Sequence, residues 1–264
     1  MKRTFFIGFS ITLILLGVAA WQVQRLITDL SDLHPETQTQ LKPTVEVVPT
    51  DEPERQSILF GGVRYAYTLT IADTSTLRLV ANFTRPTSAS TLAQNVGCHR
   101  AINAGFYTKE SKPLGLWDNG TDKLGTYITS DLVNTVIAKK GSLLSMTAAP
   151  PEDADFAFQT GPRLITTSTP HVLQIHNDEG ARRSVAAISG DSQSIFLSIF
   201  RQGSLFDGPK LADLPDVLVA IAKKESLVIR DAVNLDGGNA SFYKDPTRTI
   251  SELTPVGSLM CETK

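Results

Sequence analysis

The chain has 264 residues, 41% hydrophobic and 20% charged, the composition of a globular protein rather than a disordered or collagen-like one. Its 25 Lys and Arg against 27 Asp and Glu give a net charge of −2, which excludes the electrostatic footprint of a nucleic-acid binder. Two cysteines exclude a disulfide-dense mini-scaffold and any four-cysteine zinc or iron–sulfur site.

Lys2 and Arg3 precede an apolar run from Phe5 to Trp21 that approaches the length needed to span a bilayer. Residues 1–24 therefore read as one N-terminal transmembrane signal anchor, or as a secretory signal cleaved after the small residues Val18-Ala19-Ala20. Basic residues at the start keep that end cytoplasmic. The rest of the chain is then expected outside, periplasmic or at the cell surface, or secreted if the segment is cleaved. Residues 25–56 read as a linker, polar, acidic and interrupted by Pro35, Pro43, Pro49 and Pro53. A single functional domain is expected over 57–264. Its cysteines, Cys98 and Cys261, would meet an oxidising compartment, where an even pair favours a disulfide. Two buried free thiols are the other reading.

Within the domain, alternating Val63, Tyr65, Tyr67, Leu69 and Ile71 predict a strand, and Thr76 to Phe83 a second. Ser88 can cap a short helix ending near Gly97. Further strands are expected at Ala101–Tyr107, Leu132–Ala138, Leu143–Met146, Asp155–Gln159, Val172–Ile175, Val185–Ser189 and Ile195–Phe200. Leu214 to Lys224 is the clearest helix, with Asp213 as its cap and Pro215 in its first turn. It leads into a strand ending at Asn234-Leu235, and Val256–Cys261 forms the last strand. Many strands with few helices predict an α+β fold around a mixed β-sheet core.

Several familiar motifs are missing: there is no P-loop, no dinucleotide fingerprint and no Gly-x-Ser-x-Gly elbow. His171 and His176 are five apart in a predicted strand region and would face opposite sides, which argues against a histidine metal site. Ser241 and Lys244 match Ser-x-x-Lys, but without the further motifs of that chemistry. Glu152, Asp153 and Asp155 read as a solvated loop. No metal and no cofactor is expected.

Three polar, glycine-punctuated segments stand at predicted strand ends. They are Asn103-Ala104-Gly105-Phe106-Tyr107, then Gln159-Thr160-Gly161-Pro162-Arg163-Leu164, then Asn234-Leu235-Asp236-Gly237-Gly238-Asn239-Ala240-Ser241. A strand ending in Asp-Gly-Gly projects a carboxylate at a sheet edge, and the glycines bring backbone amides close to a ligand. Any one of them alone is equally a β-turn.

Together, in this order, the three segments resemble the phosphodiester glycosidase family, and the likeness extends from Gly62 to Ser258. Arg183-Ser184 is similar to the family's Arg-Thr or Arg-Ser pair, and Ala232 to Gly238 to its Ala-x-Asn-Leu-Asp-Gly-Gly. After those glycines the chain carries Asn239-Ala240-Ser241 where the family usually has Gly-Ser-Ser.

The resemblance implies hydrolysis of a glycosyl phosphodiester in an extracytoplasmic glycan or surface polymer. The leaving group there is an acidic phosphate ester needing little protonation, so one carboxylate can suffice where glycosidases ordinarily use two. Asp236 is the expected base, nucleophile or charge stabiliser, with Asn103 and Arg183 as catalytic partners. Arginine suits bidentate phosphate recognition, which nominates Arg183 and Arg163; a salt bridge to a buried Asp is their alternative role. Gln159, Asn234, Tyr107, Ser241, Gly237 and Gly238 are expected to contact substrate. The competing function is a non-catalytic carbohydrate- or phosphate-binding module of the cell envelope.

Overall fold

The computed structural model describes residues 56–264, so the expected N-terminal anchor or signal and nearly all of the linker lie outside the described residues. Three antiparallel sheets make up the domain. The largest has seven strands, in the order Ser57–Phe60, Val63–Ala72, Ser194–Arg201, Arg183–Ser189, Ile229–Asn234, Arg163–Thr166 and Thr169–Pro170. A second has five, Thr249–Ile250, Tyr243–Lys244, Cys98–Asn103, Ser258–Thr263 and Leu77–Ala81. The third, also of five, runs Lys123–Gly125, Trp117–Asp118, Phe156–Thr160, Thr135–Lys140 and Leu143–Thr147.

Two helices serve these sheets. Helix α1 (Ala89–Val96) starts where the Ser88 hydroxyl accepts the Thr91 amide at 3.2 Å, as its cap residue predicts. Helix α2 (Leu214–Lys224) carries Pro215 in its first turn and Lys223 and Lys224 in its last, in keeping with the helix dipole. Asp213 occupies the N-cap position without a side-chain capping bond, so only its carbonyl serves, accepting from the Val217 amide at 3.0 Å.

The expected mixed sheet is corrected by the pairing: among the described residues every ladder between strands is antiparallel. The reason lies in the helical crossovers. Helix α1 joins Leu77–Ala81 to Cys98–Asn103, which run parallel but are separated by Ser258–Thr263. Helix α2 joins Ser194–Arg201 to Ile229–Asn234, separated in the same way by Arg183–Ser189. Each crossover therefore skips one position, and a strand of opposite direction fills it. The strands after the two helices share one burial pattern, and each ends in a buried asparagine, Asn103 or Asn234.

Alternating faces of the central strands feed two cores. Phe196, Ala186, Ile188 and Val233 pack between the sheets with Leu79, Ile102, Met260, Ile137, Phe158 and Trp117. Ile195, Leu197, Val185 and Ala187 turn the other way, onto Leu214, Val217, Leu218 and Ile221 of α2. Strands buried on both faces read as continuous apolar runs, which is how Ile195–Phe200 appears in the sequence. Ala89 and Ala93 of α1 cover Cys98, Ala101, Leu259 and Cys261, and the two cysteines form a disulfide.

Val172–Ile175 forms no strand. Leu173 and Ile175 rest half-buried on the α2 core while Val172 and Gln174 stay exposed. That alternation mimics a strand, but the segment has no ladder partner.

Candidate active site

Asp236 sits just past the carboxyl end of Ile229–Asn234, where the second asparagine-ended strand, Cys98–Asn103, also terminates. The two ends are fastened directly: the Asp236 amide donates to the Ala104 carbonyl at 3.1 Å. Asn103, only 1% exposed, adds two bonds. Its Nδ2 donates to the Asp236 carbonyl at 2.6 Å, and its Oδ1 accepts the Phe242 amide at 2.9 Å. One side chain thus grips both ends of the 236–242 turn. Both ends of the Asn103 amide are engaged with the backbone of the turn.

The glycines shape the turn. Gly238 has φ +58, a left-handed conformation that costs a side-chain-bearing residue, and its amide donates to the Arg182 carbonyl at 2.8 Å. A Cβ on Gly237 would stand 3.1 Å from that same carbonyl and 4.0 Å from Cδ of Arg183. The Arg183 stem therefore lies against the turn. Ser241 is fully buried, its hydroxyl 2.6 Å from that of Ser184. Asn234 anchors the strand end, its Nδ2 donating to the Gly161 carbonyl at 2.9 Å and its own carbonyl accepting from the Thr160 hydroxyl at 2.9 Å.

Burial dominates the electrostatics of Asp236. Desolvation pushes its carboxyl up from 3.8 to about 7, and the Gly237 amide, donating to Oδ1 at 2.9 Å, offsets only part of that rise. Among the described residues it forms no ion pair. As a residue Asp236 is half-buried, so it is enclosed without being sealed. Tyr107 lies within its field: burial raises the phenol above its usual value and the Asp236 charge adds to this, so it stays a neutral donor at pH 7. Its hydroxyl donates to the Pro255 carbonyl at 2.7 Å, tying the chain before the last strand to the site.

Arg183 is mostly enclosed and committed. Its Nε donates to the Pro209 carbonyl at 3.0 Å and its Nη2 to the Glu179 carbonyl at 2.8 Å, with Asp178 at 3.6 Å. Desolvation lowers its pKa and the Asp178 charge opposes that. Nη1 makes no hydrogen bond among the described residues.

Two expected site residues direct their side chains elsewhere, although the Gln159 backbone lies against Gly105. Gln159 is 2% exposed. Its Oε1 accepts from the Leu116 and Ile128 amides, and its Nε2 donates to the Ile128 and Val133 carbonyls. It knits the 116–133 segment to its strand and has no capacity left for a sugar. Arg163 forms a 2.7 Å ion pair with Asp231, three residues back from the end of its strand, and donates to the Met146 carbonyl at 2.8 Å. It takes the salt-bridge role and not the phosphate role. Conversely, Asp178, which accepts the Leu211 and Ala212 amides, escaped sequence reasoning because no motif surrounds it. Among the described residues no cluster of three His, Cys, Asp or Glu could hold a metal ion.

Comparison with solved structures finds the same fold elsewhere. The catalytic domain of zebrafish N-acetylglucosamine-1-phosphodiester α-N-acetylglucosaminidase, auto-inhibited by its pro-peptide, matches with TM-score 0.58 and 13% identity over 80% of this chain and 81% of that one. A hypothetical protein from Synechocystis matches with TM-score 0.55 and 13% identity over 78% of this chain, which spans 61% of that protein's length. A search of curated sequences finds no match. Residues 96–248, more than half of the chain and including every motif from Asn103 to Ser241, match the phosphodiester glycosidase family. The chain belongs to that family.

Proposed function

We propose that the domain hydrolyses a glycosyl phosphodiester, with Asp236 as its base or nucleophile. The observation that carries this reading is the carboxyl itself: held at a turn between two strand ends, partly open, free of any ion pair and raised to about 7. A binding module would be expected to neutralise such a carboxylate with a cation. Because the departing phosphate ester is already acidic, the ionised form of Asp236 is the working one. It deprotonates an attacking water or attacks the anomeric carbon itself. Asn103 fixes the turn, Nη1 of Arg183 is a candidate donor for phosphate oxygens, and the Tyr107 oxygen, whose hydrogen goes to the Pro255 carbonyl, can accept from a sugar hydroxyl. Family membership supports the reaction class.

The setting we infer is extracytoplasmic, on a cell-envelope glycan or surface polymer. The basic-then-apolar N-terminus supports it, and so does the disulfide between Cys98 and Cys261, since such bonds persist in oxidising compartments. The test is to incubate the full-length protein with synthetic sugar-1-phosphodiesters, N-acetylglucosamine-1-phosphodiester first, and measure released sugar. Turnover that falls by about 10² to 10⁴ in Asp236→Asn is the expected result. Full turnover in that variant overturns the assignment.

A further inference from the structure

Arg182 stands just before the strand Arg183–Ser189, and its side chain shares no partner with that of Arg183. It is 1% exposed, one of the largest fully buried side chains of the protein. Its Nη2 donates to the Ser241 carbonyl at 2.5 Å and the Ser251 carbonyl at 2.8 Å. Its Nε is buried with no hydrogen-bond partner. Among the described residues no carboxylate lies within ion-pair distance of it. Desolvation outweighs the opposing Glu252 charge at Arg182, and a buried cation without a paired counter-charge is costly.

Space for one exists. Arg182 lines a cavity of about 460 Å³ whose walls do not include Asp236, Asn103 or Arg183. Arg248, a second arginine, also lines the cavity, again without an ion pair among the described residues. Glu252 also borders the cavity, but its Oε1 is occupied by the Ala89 amide at 2.6 Å and its Oε2 is buried. Two cations therefore stand against one engaged carboxylate. The rim is apolar and open to solvent, with Leu205, Phe206 and Leu253 about half exposed.

We propose that this cavity is a second binding site, for an organic phosphate: an oxyanion held by Arg182 and Arg248, attached to an apolar body that rests on Leu205, Phe206 and Leu253. Paired guanidinium groups match phosphate oxygens, and the apolar rim rewards an ester over inorganic phosphate. The site abuts the catalytic turn through Arg182, whose carbonyl accepts the Gly238 amide and whose side chain holds Ser241.

Phenyl phosphate is the probe, with phenol and inorganic phosphate as its two halves, each titrated into the full-length protein by calorimetry. Binding is an equilibrium readout, so its outcome is independent of whether Asp236 hydrolyses anything. Phenyl phosphate is expected to bind saturably, with each half at least tenfold weaker. Arg182 variants can fail to fold because they release two backbone carbonyls. Arg248→Ala and Leu205→Glu alter only the cavity wall and rim, and each is expected to weaken phenyl phosphate at least tenfold with an unchanged circular dichroism spectrum. Asp236→Asn is expected to bind the probe as the parent does. Absence of saturable binding, binding indifferent to both wall variants, or binding abolished by Asp236→Asn would each overturn the proposal.

Discussion

Replacing Asp236 with Asn should stabilise the domain at alkaline pH and leave it unchanged in acid. Asparagine keeps the side chain's size, and its Oδ1 can still accept the Gly237 amide, so the packing of the turn survives and only the charge goes. Below pH 3.8 the carboxyl is protonated in folded and unfolded chains alike, and it carries no penalty. Between 3.8 and about 7 the unfolded chain releases the proton while the folded domain retains it, so stability falls as pH rises. Above about 7 both states are ionised and the loss is complete. At 1.36 kcal/mol for each tenfold change in the ionisation constant, the rise amounts to a ceiling of about 4 kcal/mol. Solvent at the open side of the carboxyl screens its charge, so about half that ceiling is the working expectation. For a domain of this size, 2 kcal/mol corresponds to roughly 4–8 °C in Tm. Thermal melts of parent and variant at pH 4 and pH 8 measure it: equal Tm in acid, the variant higher in base. Parallel Tm curves across that range would refute the enclosure of this carboxylate, and with it the reason for choosing Asp236.

The same ionisation should govern turnover. With the ionised carboxylate active, kcat/KM on a sugar-1-phosphodiester should rise about tenfold per pH unit up to about 7 and level off above; a rate that falls as pH rises would reverse the assigned protonation state. Asn103→Ala removes both clamps of the turn and leaves the buried Phe242 amide without its acceptor, so a loss of about 1–3 kcal/mol is expected in urea denaturation, together with lower turnover. Unaltered stability and turnover would show the clamp to be dispensable. Reducing the Cys98–Cys261 bond, which closes a loop of 163 residues, should cost about 4–5 kcal/mol in the chain-entropy account. A urea midpoint indifferent to reductant would contradict it.

What could be read from the sequence divides along physical lines. Local signals held wherever local physics decides. Ser88 and Gly97 bound α1, Pro215 and the basic last turn mark α2, and the apolar run Ile195–Phe200 is a strand buried on both faces. Strand direction is not a local property. Many strands with few helices suggested a mixed sheet, yet each crossover leaves a gap that a strand from elsewhere in the chain fills, and nothing within Arg183–Ser189 or Ser258–Thr263 announces that. The candidate site shows the same divide. A polar residue at a strand end looks alike whether its bonds point outward or into the backbone. Gln159 spends all four side-chain bonds inward and Asn103 turns both ends of its amide to the backbone, while Asp236 forms no ion pair among the described residues. Arginine is harder still, because Arg163, Arg182 and Arg183 are chemically identical in a sequence. Asp231 claims the first, and the other two donate to different carbonyls, Arg182 to Ser241 and Arg183 to Pro209. The pair Arg182-Arg183 thus lays one arginine stem against the Asp236–Gly238 turn and sets the other residue in the wall of a separate cavity. A motif that names only Arg183 passes over its fully buried neighbour.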